Sequence, residues 1–407
     1  MSQFKSKPKS KNIAWFMWAI ASTFYAYQYV LRVMPSIFMV DIMEKFHIDA
    51  GLFGQFSGVY YLGYALMHLP IGILLDRYGP RKIMTGCIIF SIMGLLPVVF
   101  AESWIYPIIG RGMIGMGSSA AILGTFKIIH MGFDKGRFTK MLSLAVTIGL
   151  LGAIYGGGPV SGLYSHLGYE MVIGIFVALG LFLACLTYWI IPEIKAEKTT
   201  PVLSSIRVVL TNKKVLWLCF FTGLMVGPLE GFADVWGSAF LKEVYGFEKS
   251  TANYLPSIIF MGMCFGGPFF SMMAEKTGHY LGFIIGAGAL MFLTFALLVA
   301  GFLTISSMTF SFIVVGICCS YQIVAIYKAS TYVPESVAGL TNALVNMISM
   351  SFGYAFHTVI GFVINMYGGT SVPEALAYGI AVIPVSLGLG TIGFLVLSRQ
   401  DRNWRKI

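Results

Sequence analysis

The segment GILLDRYGPRK, residues 72–82, joins two long apolar stretches in a chain of which only 11% of the residues are charged. One acid, three cations and two glycines stand together in this short turn, namely Asp76, Arg77, Arg81, Lys82, Gly72 and Gly79. Small residues allow membrane helices to approach closely, while the charges would stay in water. We call this segment the latch loop, because we interpret it as a conformational latch between two membrane helices.

The composition excludes a water-soluble domain of this size. Of the 407 residues 57% are hydrophobic and 47 are glycine, and the mean hydropathy is +0.81. Apolar runs near the ~20 residues that a helix needs to cross a bilayer recur along the chain, and they are too long for barrel strands. We predict twelve membrane helices: 13–40, 52–75, 83–101, 104–130, 140–164, 168–191, 215–241, 253–274, 280–304, 306–332, 338–366 and 374–398.

The distribution of charge predicts the orientation in the membrane. When the loops are sorted by side, 20 cations lie on one side and three, Lys45, Lys242 and Lys249, on the other. By the positive-inside rule both termini are cytoplasmic, and the net charge of +10 reports orientation, not a nucleic-acid partner. Short loops without a glycosylation sequon favour a bacterial cytoplasmic (inner) membrane.

Other signals concern processing and cofactors. The first apolar segment is too long for a signal-peptide core, so we expect it to remain as helix 1. All six cysteines fall inside apolar spans without metal-ligand spacing, so we expect no disulfide, metal or cofactor. No phosphate-cradling loop is present, which argues against direct ATP drive.

The chain repeats itself weakly across a polar connection at 192–214. This connection separates a predicted bundle at 1–191 from a second at 215–407. Lys127 followed by Asp134 recurs as Lys328 followed by Glu335, with an offset of 201. Arg32 aligns with Asp234, and Glu275 and Lys276 belong to a degenerate copy of the latch loop. Internal repeats of this kind are typical of transporters that bind the solute between two halves.

The latch loop resembles the signature of the major facilitator superfamily. The segment Arg111 to Gly117 resembles the arginine motif of the fourth helix in that family, and Gly158 to Gly162 resembles part of its fifth-helix Gly-Pro motif, although some upstream glycine spacing is missing. The resemblance implies an all-α integral membrane protein with twelve transmembrane helices in two six-helix halves. It also implies a secondary transporter that works by alternating access.

The resemblance further implies roles for the loop residues. The acid Asp76 is expected near the cytoplasmic start of helix 11, where the helix dipole favours a negative charge. Arg77 or Arg81 would pair with Asp134 after helix 4. In the second half Glu275 and Lys276 would act in the same way, with helix 5 and Glu335.

Beyond the first three residues of each span, six charged residues fall inside the spans: Arg32, Arg111, Lys127, Glu230, Asp234 and Lys328. A charged side chain near the bilayer centre costs about 2.5–3.5 kcal/mol on insertion scales. In the resembled family helices 1, 4, 7 and 10 line the central cavity. Helical spacing places polar residues on one face of helix 1 (Tyr25, Gln28, Arg32, Ser36) and of helix 7 (Glu230, Asp234, Ser238). A guanidinium can hold a carboxylate and an acid can hold an ammonium, so this pattern suits a zwitterion.

Several alternatives stay open. Arg32 and Asp234 could bond each other as a gate, with the solute bound elsewhere. Lys127 and Lys328 could attract an organic anion, or could extend their stems to the headgroups. Arg111 could stabilise helix 4 or influence proton coupling. Polar residues on helices 2 and 11 could contact the solute or pack the helices: Tyr60, Tyr64, His68, Asn342, Asn346, Ser349 and His357.

The predicted function is the proton-coupled import of a zwitterion, an amino acid or a short peptide, with Asp234 or Glu230 as the proton carrier. The alternative is a symporter or exchanger of organic anions such as carboxylates, polycarboxylates or sugar phosphates. A nutrient sensor on the same scaffold is a further class. We expect no enzyme, because the sequence offers no nucleophile with a base and no metal cluster. The expected partners are a small solute, the bilayer and protons, and we expect a monomer.

Overall fold

The computed structural model describes residues 11–193 and 203–404. Predictions on the terminal cations and on the middle of the 192–214 connection lie outside these residues. The described helices are α1 (Lys11–Val33), α2 (Met39–Phe46), α3 (Ala50–Tyr78), α4 (Pro80–Phe100), α5 (Ile105–Gly132), α6 (Phe138–Ile190), α7 (Leu203–Leu210), α8 (Lys213–Leu224), α9 (Gly237–Glu243), α10 (Lys249–Tyr254), α11 (Ile258–Thr277), α12 (Tyr280–Val299), α13 (Ile305–Cys319), α14 (Tyr321–Ser330), α15 (Ala338–Met366) and α16 (Pro373–Trp404). The latch loop thus spans the end of α3 and the start of α4.

The protein is an all-α integral membrane protein. Among the described residues, 10 helices are long and apolar enough to cross a membrane. One of them, Lys140–Ile190, has 51 residues and contains two predicted spans. The 23-residue helix α1 is not among the 10 but covers most of the first predicted span. The helices are therefore consistent with twelve crossings.

The two spans inside α6 are separated at Gly168. This residue has φ 75° and ψ 165°, a conformation that L side chains rarely adopt and that interrupts the helical backbone. The chain therefore turns at Gly168 without an intervening loop, which matches the predicted gap between 164 and 168.

The seventh and the tenth predicted spans are among those that consist of shorter helices. The seventh, at 215–241, consists of α8, a π-helical segment Pro228–Trp236, and α9. Pro228 has no backbone N–H and stands at the first position of the π segment. The wider hydrogen-bonding pattern is seen at its end, where the N–H of Gly237 donates to the carbonyl of Phe232. The tenth span consists of α13 and α14.

The chain forms two compact units. The first contains the described residues of Met1–Phe46 and Val59–Thr200, and α1 packs there on α5 and α6. The second contains His47–Gly58 and the described residues of Pro201–Ile407. The predicted division at 1–191 and 215–407 stays a prediction.

The start of α3 belongs to the second unit because it packs on α15. The Asn365 side chain donates to Asp49, with 3.0 Å between Nδ2 and Oδ2. A side chain at Gly58 would lie 3.0 Å from the Cα of Tyr354, so the two helices are in close contact there.

Candidate functional site

A buried arginine on α5 caps the end of α1. Pro35 lacks the N–H that the Leu31 carbonyl would accept in a continuing helix, and α1 ends at Val33. The Arg111 guanidinium donates to the Leu31 and Arg32 carbonyls instead, at N–O distances of 2.6 Å each. Arg111 is 2% exposed. The sequence singled out this arginine, but nothing in its spacing indicated that it caps another helix.

The side chain of Arg32 lies among aromatic rings in the first unit. Its guanidinium carbon is 5.2 Å from the ring centre of Tyr29 and 5.0 Å from that of Tyr61. Both distances suit a cation–π interaction. These two tyrosines are not among the predicted site residues, although Tyr29 stands between Tyr25 and Arg32 on the same helix.

A second layer joins α1 to α3. The Tyr60 hydroxyl donates to the Gln28 side-chain oxygen at 2.6 Å, and the Arg111 guanidinium carbon lies 4.8 Å from the Tyr60 ring centre. The rings of Tyr60 and Tyr64 stack at 6.4 Å. Gln28 and Tyr60 are buried, whereas Tyr64 is half-buried.

A glycine permits this close arrangement of α3 and α5. A side-chain carbon at Gly115 would lie 3.0 Å from the Cα of Tyr60 and closer still to its carbonyl group. We call the assembled residues the arginine–tyrosine cluster; they are Gln28, Tyr29, Arg32, Tyr60, Tyr61, Tyr64 and Arg111. Tyr25 is half-buried and adjoins this cluster through an edge contact with Tyr29 at 5.3 Å.

The second unit holds two buried acids on one segment. Glu230 is 0% exposed and Asp234 is 1% exposed, and both lie in the π segment. This segment packs on α15, α11, α13 and α16. π-helical turns inside α-helices occur often at functional sites. The functional role of the two acids stays a prediction.

The predicted asparagines lie on the neighbouring helix α15. Asn342 and Asn346 are half-buried, while Ser349 and His357 are buried. Within the part of the chain that the structure describes, the buried side-chain oxygen of Asn342 has no hydrogen-bond partner. Their contact with a solute stays a prediction.

Lys127 lies in an ion pair with the acid of the latch loop. Its Nζ is 2.8 Å from Asp76 Oδ1, and the two side chains are 13% and 55% exposed. The expected ties of Asp76 were to the start of helix 11 and not to Lys127. A residue predicted to bind the solute is therefore engaged with the latch loop.

Lys328 also lies in an ion pair, and its acid lies on α16. Its Nζ is 3.0 Å from Asp401 Oδ2 on α16, and Lys214 Nζ is 3.4 Å from Asp401 Oδ1. The Tyr332 hydroxyl donates to the same carboxylate at 2.6 Å. We call these four residues the Asp401 cluster. Asp401 is not among the predicted site residues, although an acid among cations at the end of the last predicted span is a usable signal.

The remaining latch-loop residues make contacts within the first unit. Gly79 has φ 78° and precedes α4, so the sharp turn needs a glycine there. The Arg81 guanidinium carbon lies 4.1 Å from the ring centre of Tyr188, and that of Arg77 lies 5.3 Å from the ring centre of Tyr78. These two contacts are with aromatic rings, and the pairing of Arg77 or Arg81 with Asp134 stays a prediction.

At the base of the loop Lys82 pairs with an exposed acid. Its amino group contacts the carboxylate of Glu193. The hydrogen bond from Lys82 and the charge of Lys82 hold the pKa of the Glu193 carboxyl below its usual range.

The other predicted latch residues lie at the ends of helices. Asp134 precedes a 3₁₀ turn at Lys135–Arg137, and Glu335 opens a matching turn at Glu335–Val337. Asp134, Glu335 and Lys276 are exposed, and Gly72 has open space around its α-carbon. The side chain of Glu275 lies outside the described part.

The described residues contain no group of three or more His, Cys, Asp or Glu side chains that could hold a metal ion. The family model for the Major Facilitator Superfamily matches residues 15–358. The chain belongs to the Major Facilitator Superfamily. Its curated relatives in this superfamily are transporters.

Similarity to individual relatives is low. The uncharacterized transporter YybO of Bacillus subtilis is 24% identical over 63% of this chain and 64% of its own length. The inner membrane transport protein YajR of Escherichia coli is 22% identical over 47% of this chain and 41% of its length. This Major Facilitator Superfamily chain thus spans less than two-thirds of either relative. A galacturonate transporter of Dickeya chrysanthemi is 21% identical over 77% of this chain and 96% of its length.

Solved structures of the superfamily share the fold. A bacterial homologue of the human lysosomal transporter Spinster, in an inward-facing and unoccupied conformation, has a TM-score of 0.74 and 17% identity over 96% of this chain and 98% of its own. The nucleoside transporter NupG has a TM-score of 0.79 and 15% identity over 95% of this chain and 100% of its own. At these identities the likeness establishes the fold alone.

Proposed function

We propose that the chain is a secondary active transporter that imports a zwitterion, an amino acid or a short peptide, together with protons. The class follows from the superfamily. The preference for a zwitterion rests on one observation: two of the four intramembrane cations, Lys127 and Lys328, are already paired with the acids Asp76 and Asp401. This pairing removes the surplus of positive charge that favoured a polyanion.

We propose that Arg32 and the acids Glu230 and Asp234 recognise the two ends of a zwitterion. Arg111 is committed to the carbonyls at the end of α1. We propose that Arg32, framed by Tyr29 and Tyr61, recognises a carboxylate, because a guanidinium offers two parallel N–H groups. Glu230 and Asp234 would recognise the ammonium.

We propose that Asp234 or Glu230 also carries the coupled proton. Both carboxyls are buried, and an apolar environment disfavours the charged form of a carboxyl group. Replacing Asp234→Asn should abolish accumulation of solute against its gradient while exchange of labelled for unlabelled solute continues. Proteoliposomes with an imposed pH gradient provide the measurement. Uphill uptake at the wild-type level would exclude Asp234 as the carrier.

A second candidate is an organic-anion symporter or exchanger. The similarity to the galacturonate transporter, which covers 96% of that protein, supports this candidate. In this case Arg32 would bind the carboxylate and the acids would serve only in coupling.

The two candidates can be distinguished with a panel of solutes. Thermal-shift measurements on purified protein should compare amino acids, dipeptides, carboxylates and sugar phosphates. The zwitterion proposal expects a shift with an amino acid or dipeptide that Arg32→Gln removes and Lys242→Gln, an exposed control cation, preserves. Shifts with carboxylates alone would favour the second candidate, and a shift unaffected by Arg32→Gln would exclude Arg32 from the site.

We further propose that the protein is a monomer in a bacterial cytoplasmic membrane with both termini in the cytoplasm. The charge asymmetry supports this orientation.

A further inference from the structure

The two halves carry the same groove at corresponding positions. In the first unit a groove of about 300 Å³ is formed by α3, α4 and α5, and in the second a groove of about 650 Å³ is formed by α11, α12 and α13. The α4 side of the first includes Lys82, Gly86 and Phe90, and the α12 side of the second includes Gly282, Gly286 and Leu290. The offset is 200 at each of these positions.

The correspondence extends to the exposure of each position. Residues 82–90 and 282–290 follow the same order of exposed, half-buried and buried positions. A side-chain carbon at Gly86 or at Gly286 would have nothing within 4 Å. These glycines therefore do not serve close helix packing; their missing side chains leave open space on both helices.

The walls of both grooves are apolar and reach the surface of the unit. Phe90 is 38% exposed on the rim of the first groove, and Phe269 is 48% exposed on the rim of the second. An exposed apolar surface on a membrane-spanning helix contacts acyl chains. The space is thus suited to a hydrocarbon chain and not to a polar solute.

One end of each groove has features that attract an anion. The helix α4 begins at Pro80 beside the first groove, and α12 begins at Tyr280 beside the second. Neither helix has a side-chain cap or an acid in its first turn. The backbone N–H groups and the helix dipole therefore favour an anion at the N-terminus of α4 and at that of α12. A basic side chain also lines each groove there, Lys82 in one and His279 in the other.

We propose that each half binds one anionic phospholipid. An acyl chain fills the groove beside Gly86 or Gly286, and the phosphate lies at the start of α4 near Lys82 or at the start of α12 near His279. Basic pockets between membrane helices are known to bind acidic headgroups. In the first half the phosphate competes with Glu193, which is the acid paired with Lys82.

Native mass spectrometry of the purified full chain tests the number and class of bound lipids. Phosphatidylglycerol and phosphatidylcholine with identical acyl chains are added in parallel. We expect two phosphatidylglycerol molecules per chain and weaker retention of phosphatidylcholine. Equal retention of the two lipids would overturn the proposal, because the grooves would then select only hydrocarbon.

Groove-filling variants test the location. Gly86→Phe and Gly286→Phe should each remove one retained lipid, and the double variant should remove both. Gly174→Phe is the matched control, since Gly174 is also exposed and has nothing within 4 Å. Retention of both lipids by the double variant, or an equal loss with Gly174→Phe, would contradict the assignment.

Charge variants keep the test decisive if the phenylalanine variants do not fold. Lys82→Gln should weaken phosphatidylglycerol binding at the first groove about fivefold, the ratio that corresponds to ~1 kcal/mol per cation at a membrane surface. Glu193→Gln should strengthen the same binding, because the competing acid is removed. Unchanged binding in both variants would overturn the proposal.

Discussion

Among the single residues, Arg111 has the most specific geometry. It satisfies two backbone carbonyls at the place where Pro35 prevents α1 from continuing. It also lies against Tyr60, whose hydroxyl positions Gln28. Arg111 therefore holds α1 and α3 in register next to Arg32 without itself being required to touch the solute.

Replacing Arg111→Lys should destabilise the protein although the charge is kept. A lysine cannot donate to two carbonyls in the fork geometry of a guanidinium, and a hydrogen bond from a charged group contributes about 1.5–3 kcal/mol. The thermal midpoint of the purified variant in detergent measures the effect. Arg137→Lys, at an exposed arginine of the same unit, is the control. Equal midpoints for the two variants would contradict the capping role.

The Asp76–Lys127 pair should contribute only modestly to stability. The Asp76 side chain is 55% exposed, and water screens such a pair. A double-mutant cycle with Asp76→Asn and Lys127→Gln should give a coupling of about 0.2–1 kcal/mol. Chemical unfolding of the four proteins supplies the measurement. Strict additivity would show that the two residues do not interact in solution.

At the scale of helices, the repeat conserves the lysines but changes their acids. Lys127 on α5 pairs with an acid from α3, whereas Lys328 on α14 pairs with an acid from α16. The second arrangement also engages α8 through Lys214. The ion pair of the repeated lysine therefore joins α5 to α3 in the first unit and α14 to α16 in the second.

Replacing Asp401→Asn should destabilise the second unit. The variant leaves Lys328 and Lys214 without their shared carboxylate, in a site where the Lys328 side chain is only 12% exposed. We expect a loss of about 1–3 kcal/mol, the cost of an unsatisfied buried group. The thermal midpoint is the measurement, with Glu374→Gln, an exposed acid on the same helix, as the control. A midpoint equal to that of the control would exclude a stabilising role for the cluster.

The sequence predicted the helices better than the contacts between them. The gap at Gly168 was visible because the apolar run is interrupted there, and Arg32, Tyr60 and Gln28 were all selected by their polarity inside apolar spans. The π segment was not foreseen: Pro228 marks an irregularity in the span, but a sequence pattern does not distinguish a π-helical turn from an α-helical one. Asp401 stands out as an acid among cations at the end of the last predicted span, but its partners could not be predicted, because they are distant in sequence and only tertiary packing brings them together.

At the scale of the whole molecule, the charge asymmetry makes a prediction about topology. Single cysteines at Arg207 and Lys276 should be labelled by a membrane-impermeant maleimide only in inverted membrane vesicles. Cysteines at Lys242 and Lys249 should be labelled only in intact spheroplasts. These four positions are exposed. The opposite pattern would reverse the orientation proposed for the chain.

Native thiols need attention in this experiment. Cys185 is exposed and Cys264 is half-buried, so both are replaced by serine in the background protein, while Cys87, Cys219, Cys318 and Cys319 are buried. The background protein without an added cysteine should remain unlabelled on both sides.

The Asp401 cluster has a consequence for the order of synthesis. Lys214 and Lys328 are made well before α16, the helix that carries their acid. When α14 has been inserted into the membrane, both lysines have been synthesised, but Asp401 has not yet been translated. The ion pairs of the Asp401 cluster can therefore form only after α16 has entered the bilayer, which makes the insertion of α16 a requirement for fastening α8 and α14.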